Sequence, residues 1–221
     1  MTASPVPPLA PDAVHVWWAG GGPAAPRRRR AHADAVLRSV LAGYVATPPA
    51  ALRFAREPRG RPFLVDGDGR PQGPQFNLSD TRGGTVVAVS GALRVGVDLE
   101  RSDRRPPHRA LAPRWYAPDE AEALAALPEE PARQAFLALW TAKEASCKAT
   151  GTGIYGRLAH WRFAAATGDP ALLGAPPEAG EAAAWSFRRL VPAPGYTAVV
   201  ACRGRIGQLA AFTLPLPWTG R

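Results

Sequence analysis

The strongest helical periodicity in the chain lies between Pro128 and Gly153. There Ala132, Ala135, Phe136, Leu139 and Trp140 recur at helical spacing and make one apolar stripe. Pro128, Glu129, Glu130 and Pro131 mark the start, because proline suits the first turn and acids meet the positive end of the helix dipole. Gly151-Thr152-Gly153 marks the end. The spacing predicts a helix over residues 129–149. Glu144 and Lys148, four apart, then project side by side from its last turns.

Period-two alternation predicts strands over residues 14–18, 52–55, 61–65, 76–79, 85–90 and 93–100, the last two joined by Gly91-Ala92. Beyond Gly153 the same signal marks 158–164, 184–190, 196–202 and 206–214. A helix opening at Arg27-Arg28-Arg29-Arg30 carries Ala33, Val36, Leu37, Val40, Leu41 and Tyr44 at helical spacing and stops before Pro48. Two shorter helices are expected over 108–116 and 118–127, irregular chain over 1–12, a turn at Asp66-Gly67-Asp68-Gly69 and a Pro/Gly/Ala loop over 168–181. Helices and strands interleaved in this way define a mixed α/β fold of the α+β kind. The run from Thr85 loosely echoes the run from Thr197, a sign of internal duplication with a boundary near Ala92, so that 1–92 and 93–221 form two parts.

A chain of 221 residues, 46% of them hydrophobic, is long enough to bury a full core. Its formal net charge of +9 favours an acidic partner: nucleic acid, an anionic membrane, a phosphorylated cofactor or an acidic protein. No apolar run approaches a membrane span and no signal-peptide pattern opens the chain, so a cytoplasmic location is expected. Cys147 and Cys202 fall in a helix and a strand without metal-type spacing and read as buried, reduced thiols. Lysine usage changes the picture most. Among 27 Lys plus Arg, lysine occurs only at Lys143 and Lys148. Where arginine supplies every other positive charge, two lysines five residues apart suggest a site that needs a compact ammonium, such as phosphate held beside a metal.

Alternation over 93–100 puts Val95, Val97 and Leu99 on one face of a strand and Gly96, Asp98 and Glu100 on the other. Two carboxylates on one face, with no basic residue between them, suit a strand end in water or a bound cation. Glu144 and Lys148 by themselves read as a surface ion pair. Taken together, Asp98, Glu100 and Glu144 offer three hard oxygen ligands, which suits magnesium with water and phosphate in the open positions. Gly151-x-Gly153-x-x-Gly156 matches a dinucleotide fingerprint as a string, but it follows a helix instead of opening one after a strand. These glycines are read as a helix cap and a loop able to approach a ligand closely.

Val95-Gly-Val-Asp-Leu-Glu100, followed by Phe136-x-x-x-Trp140-Thr-x-Lys143-Glu144-Ala-x-x-Lys148-x-x-Gly151-x-Gly153, resembles the signature of phosphopantetheinyl transferases of the Sfp type. Gly60-Arg61-Pro62-Phe63-Leu64 and Phe76-Asn77-Leu78-Ser79 resemble that family's upstream motif, in the same order. The resemblance implies two similar α/β halves related by pseudo-two-fold symmetry, with the active site in the cleft between them. It implies transfer of the 4′-phosphopantetheine arm of coenzyme A to a serine of an acidic apo acyl or peptidyl carrier protein, releasing adenosine 3′,5′-bisphosphate. Asp98, Glu100 and Glu144 would hold magnesium. Lys148 would bind the pyrophosphate, and Lys143 would do so or support the metal-bearing helix. Arg29, Arg30, Arg38, Arg61, Ser79 and Asp80 would face coenzyme A.

Glu120 resembles a family glutamate that takes the serine proton, a role open also to Glu144 or a metal-bound water. By position alone Glu120 is a favourable acid in a first helical turn. Asp80 departs from the family, whose members often carry there a histidine that helps hold the 3′-phosphate of coenzyme A. A monomer is expected, with neither nucleic acid nor membrane as partner. Two readings compete. A basic nucleic-acid-binding module leaves three acids and two lysines unexplained, and a different magnesium phosphotransferase finds no Walker loop or kinase signature.

Overall fold

A computed structural model describes residues 6–154, 157–164 and 168–214. The chain divides into two compact units, one built from residues up to Val95 and again from Ile206 onward, the other from Gly96 to Arg205. The mixed α/β class read from the sequence is the class observed.

In the first unit, β1 (Ala13–Gly20), β5 (Gly84–Ser90), β4 (Gln75–Thr81) and β11 (Gln208–Thr213) form one sheet in the order β11-β1-β5-β4. Strand β5 is inner and every residue in it is buried, which is why its sequence is a continuous Val-Val-Ala-Val run. Helix α1 (Pro26–Val45) lays Ala33, Val36, Leu37, Val40 and Leu41 on β4 and β5, against Phe76, Val87 and Val89. Each buried Val, Leu or Phe side chain among them contributes about 2 kcal/mol of transfer free energy. The first turn of α1 has arginines, no acid and no side-chain cap, a poor match to its dipole. Packing of the apolar face therefore holds this helix. A hairpin of β2 (Arg53–Arg56) and β3 (Pro62–Val65) completes the unit.

Strand β11 pairs in parallel with β1, so the chain beyond Ile206 belongs with the N-terminal residues. An alternating pattern identifies a strand but not its neighbour, and a boundary near Ala92 assigned that strand to the second part.

In the second unit, β6 (Val95–Arg101), β9 (Trp185–Leu190) and β10 (Tyr196–Arg203) form a sheet in the order β6-β10-β9, with Val95 itself grouped in the first unit. Helix α4 (Glu129–Thr150) packs on β10, and α2 (His108–Trp115) and α3 (Pro118–Ala125) pack on α4. The core joins Phe136, Leu137 and Leu139 of α4 to Trp161, Phe163, Trp185 and Phe187. Rings of Tyr116, Phe136 and Trp140 stack along one side.

The expected strand over 158–164 is in fact a 3-10 turn, Leu158–His160, followed by β7 (Arg162–Ala164). Strand β8 (Ala171–Gly174) pairs with β7 inside the stretch expected to be a loop. Both are only three or four residues long, too short to show a period. Cys147 and Cys202 are buried free thiols, as expected. Among the described residues no helix is long and apolar enough to cross a membrane. Gly156 lies outside the described residues.

Candidate active site

The site is assembled by one close approach. A Cβ added at Gly96 would run into the backbone of Ala145 and Ala149, so glycine lets β6 lie directly on the last turns of α4. Asp98, on the same face of β6, then meets Lys148: Nζ donates to Asp98 Oδ1 at 2.6 Å. Lys148 also stands 4.0 Å from Glu144 Oε2, one turn back on α4. Glu100, next on the strand face, is paired with Arg104. Asp98 and Glu100 are buried, at 4% and 8% exposure. Helix α4 ends where predicted: Gly151 takes φ 72 and its amide donates to Cys147 O at 2.9 Å.

Three carboxylates in a half-buried cluster repel one another. Burial first, and then Asp98 nearby, lift the Glu100 and Glu144 carboxyls to about 7, opposed by Arg104 and Lys148. Burial would lower Lys148, but Asp98, Glu144 and Glu100 outweigh it and hold its ammonium above the usual value. The donor set is all hard oxygen, rich in negative charge and short of cations, which fits a hard divalent ion. Among the described residues no three His, Cys, Asp or Glu stand together closely enough, as arranged here, to hold a metal ion. Lys148 on Asp98 and Arg104 on Glu100 supply the positive charge instead.

Two residues assigned to this site by resemblance lie elsewhere. Lys143 is fully buried, and its ammonium donates to Glu120 Oε2 at 2.6 Å, to Leu158 O at 3.0 Å and to Trp161 O. Three N–H groups meet three protein oxygens, so Lys143 has no donor left for a pyrophosphate. Burial draws its ammonium below the ordinary lysine value, against the pull of Glu120.

Glu120 is equally enclosed. Its Oε2 also accepts from Ala117 N at 3.0 Å, closing the first turn of α3, and Oε1 accepts from Phe163 N at 2.9 Å. Glu120 helps to line a groove of about 680 Å³ along Pro131, Gln134, Ala135, Ala138 and Ala142 of α4. At 100° per residue that face is turned by about 120° from the one carrying Glu144 and Lys148. Both carboxylate oxygens of Glu120 are thus bonded within the protein, to Ala117 N, Lys143 Nζ and Phe163 N, the arrangement of a structural acid at the start of α3.

The arginines expected to face coenzyme A lie in the first unit. Arg29 donates through Nε to Asp80 at 2.6 Å, and Arg30 is exposed. Arg38 bonds Asp34 and the carbonyls of Pro49 and Leu52, with its guanidinium over the Phe54 ring. That set of contacts ties α1 to the chain after it. Arg61 is buried and donates to Phe76 O, and Ser79 is buried on β4.

Sequence reasoning missed Arg104 and Trp140 as members of the cluster. Arg104 pairs with Glu100 and places its guanidinium 5.7 Å from the Trp140 ring centroid, while Trp140 also hydrogen-bonds Glu144. The i, i+4 spacing of Glu100 and Arg104 was the available signal, but it crosses a strand end, where spacing does not predict contact.

A family model for the 4′-phosphopantetheinyl transferase superfamily matches residues 94–200, which contain β6, α4 and the whole cluster. The 4′-phosphopantetheinyl transferase HetI of Nostoc sp. is 37% identical over 178 residues, 80% of this chain and 72% of that protein. The 4′-phosphopantetheinyl transferase psf-1 of Bacillus pumilus is 34% identical over 129 residues, 58% of this chain and 52% of its own length. The transferase Sfp of Bacillus subtilis is 26% identical over 121 residues, 55% of this chain and 51% of its own. The chain belongs to the 4′-phosphopantetheinyl transferase superfamily. It is an enzyme of that kind.

Proposed function

We propose that the protein transfers the 4′-phosphopantetheine arm of coenzyme A to a serine of an acidic acyl or peptidyl carrier protein, with magnesium. The observation that carries the reading is the convergence of Asp98, Glu100, Glu144 and Lys148 where β6 lies on α4. The serine oxygen bonds to the phosphorus bearing the pantetheine arm. The pyrophosphate P–O bond breaks toward adenosine 3′,5′-bisphosphate, and the serine proton leaves.

Phosphoryl transfer of this kind asks the protein mainly to position two substrates and to neutralise charge. Asp98, Glu100 and Glu144 would hold magnesium, which supplies positive charge to the pyrophosphate when bound. Lys148, 27% exposed at its side chain, turns its ammonium from Asp98 to the phosphate oxygens. With Glu120 enclosed, Glu144, 18% exposed at its side chain, or a metal-bound water would take the serine proton. Arg29 and Arg30 on α1 meet the phosphates of the nucleotide end. The protein acts as a monomer in the cytoplasm, and its charge of +9 steers an acidic carrier towards it.

Intact-protein mass spectrometry of several apo carriers, incubated with the enzyme, coenzyme A and magnesium, tests this. One added phosphopantetheine on one serine is expected. No mass shift, where a known transferase modifies the same carriers, refutes the reading.

A further inference from the structure

A second set of enclosed charges in the second unit lies outside the carboxylate cluster. Lys143 has a side-chain exposure of 0% and Glu120 of 4%. Between them they bind four separate pieces of chain. Lys143 stands on α4. Its ammonium reaches Glu120 on α3, the carbonyl of Leu158 in the 3-10 turn, and the carbonyl of Trp161 before β7. Glu120 holds the amides of Ala117 and of Phe163 on β7. The ammonium also lies 4.9 Å from the centroid of the Tyr116 ring, whose hydroxyl donates to Phe136 O on α4.

Lys143 is next to Glu144 in sequence, so on a helix the two point about 100° apart. The first points into the core and the second to the metal-binding face. A helix pinned by a buried side chain at 143 has no freedom to roll about its axis, and the directions of Glu144 and Lys148 are set with it. A compact ammonium with three divergent donors fits one carboxylate and two carbonyls, where a planar guanidinium does not. This explains the second of the two lysines in a chain that otherwise uses arginine.

We infer that Lys143 and Glu120 are a positioning pair, a buried ion pair that fixes the roll of α4 and so aims Glu144 and Lys148 at Asp98 without touching either substrate. The inference rests on the proposed transfer reaction for its effect on rate, but the enclosure of Lys143 is testable without it.

Reductive methylation of the native wild-type protein, read by peptide mass spectrometry, is the first test. Lys148 should be methylated, and protected by coenzyme A with magnesium, while Lys143 stays unlabelled in both conditions. Methylation of Lys143 as fast as Lys148 would overturn the inference, whatever the enzyme's activity.

The second test compares Lys143→Met, Glu120→Gln and the double variant at a temperature where each is folded by circular dichroism. Misplacing a reacting group by about 1 Å costs about 100-fold in rate, so a loss of that order in kcat is expected in each single variant, with the affinity for coenzyme A unchanged. The double variant should lose no more than the worse single one. Losses that multiply, or a weakened coenzyme A affinity in Lys143→Met, would show independent contacts with substrate. Should Lys143→Met fail to fold, Glu120→Gln decides: the acidic limb of its kcat/KM profile must persist, and its disappearance would restore Glu120 as the base.

Discussion

Lys148 Nζ lies 2.6 Å from Asp98 Oδ1 and 4.0 Å from Glu144 Oε2, so one ammonium is shared between the strand and the helix that supply the candidate metal ligands. In the proposed reaction Lys148 would leave this bridging position to bind phosphate. Lys148→Arg conserves charge but replaces a point donor by a wide planar fork. We expect kcat/KM to fall by about 10²- to 10³-fold in that variant, and by at least as much in Asp98→Asn. Circular dichroism should be unchanged in both. Turnover near wild type in Lys148→Arg would show that a generic positive charge is sufficient.

Gly96 has no room for a side chain, because the obstacle is the backbone of α4 and not a flexible side chain that could move aside. Overpacking of this kind costs about 1–3 kcal/mol, and a rigid obstacle puts Gly96→Ala at or above about 3 kcal/mol. Urea unfolding with the slope held constant measures it. A loss under half that figure would mean that β6 lifts away easily, and kcat should then be nearly unaffected.

The parts of this protein legible in the sequence are those decided within about 20 residues. Helix α4 announces itself by its stripe, its acidic first turn and Gly151, and the Asp98/Glu100 face by strict alternation. Glu144 and Lys148 then fall on one side of α4 by arithmetic. What stayed hidden depends on contacts remote in sequence. Lys143 and Glu120 are 23 residues apart, and nothing local says that residue 143 points inward while 144 points out. Arg29 and Asp80, 51 apart, meet because α1 lies on β4, a pairing that periodicity does not encode. Strand β11 was recognisable as a strand, but its parallel pairing with β1 was not.

Cys147 lies within the core of the second unit, and burial pushes its thiol up from 9.0 to about 12. The sign follows from proton counting. Below pH 9 the thiol is protonated in both states and contributes nothing. Between pH 9 and 12 the unfolded chain releases the proton while the folded protein keeps it, so stability falls as pH rises, by at most about 1.4 kcal/mol per pH unit from this group. Urea midpoints at pH 8 and pH 10.5 for wild type and Cys147→Ala check it. The variant should lose less stability over that interval, and equal losses would place the thiolate in contact with water.

Asp80 stands where family members often carry a histidine, and in this protein its carboxylate is held by Arg29 Nε at 2.6 Å with both side chains about a quarter exposed. In the proposed site the pair would compensate the charge that otherwise repels a 3′-phosphate. It also occupies an arginine that would otherwise bind one. A pair this open to solvent is weak, about 0–1 kcal/mol, so in the proposed reaction Arg29 can be drawn off by a phosphate, but the gain is reduced by the bond given up. We therefore expect the wild-type enzyme to discriminate weakly between coenzyme A and its analogue lacking the 3′-phosphate. In Asp80→His, Arg29 is released and the imidazole adds a donor. A hydrogen bond to a charged group is worth about 1.5–3 kcal/mol, so the preference should widen by about tenfold or more. The ratio of kcat/KM for the two donors in both proteins measures this directly. A strong wild-type preference that does not change in Asp80→His would place the 3′-phosphate beyond the reach of position 80.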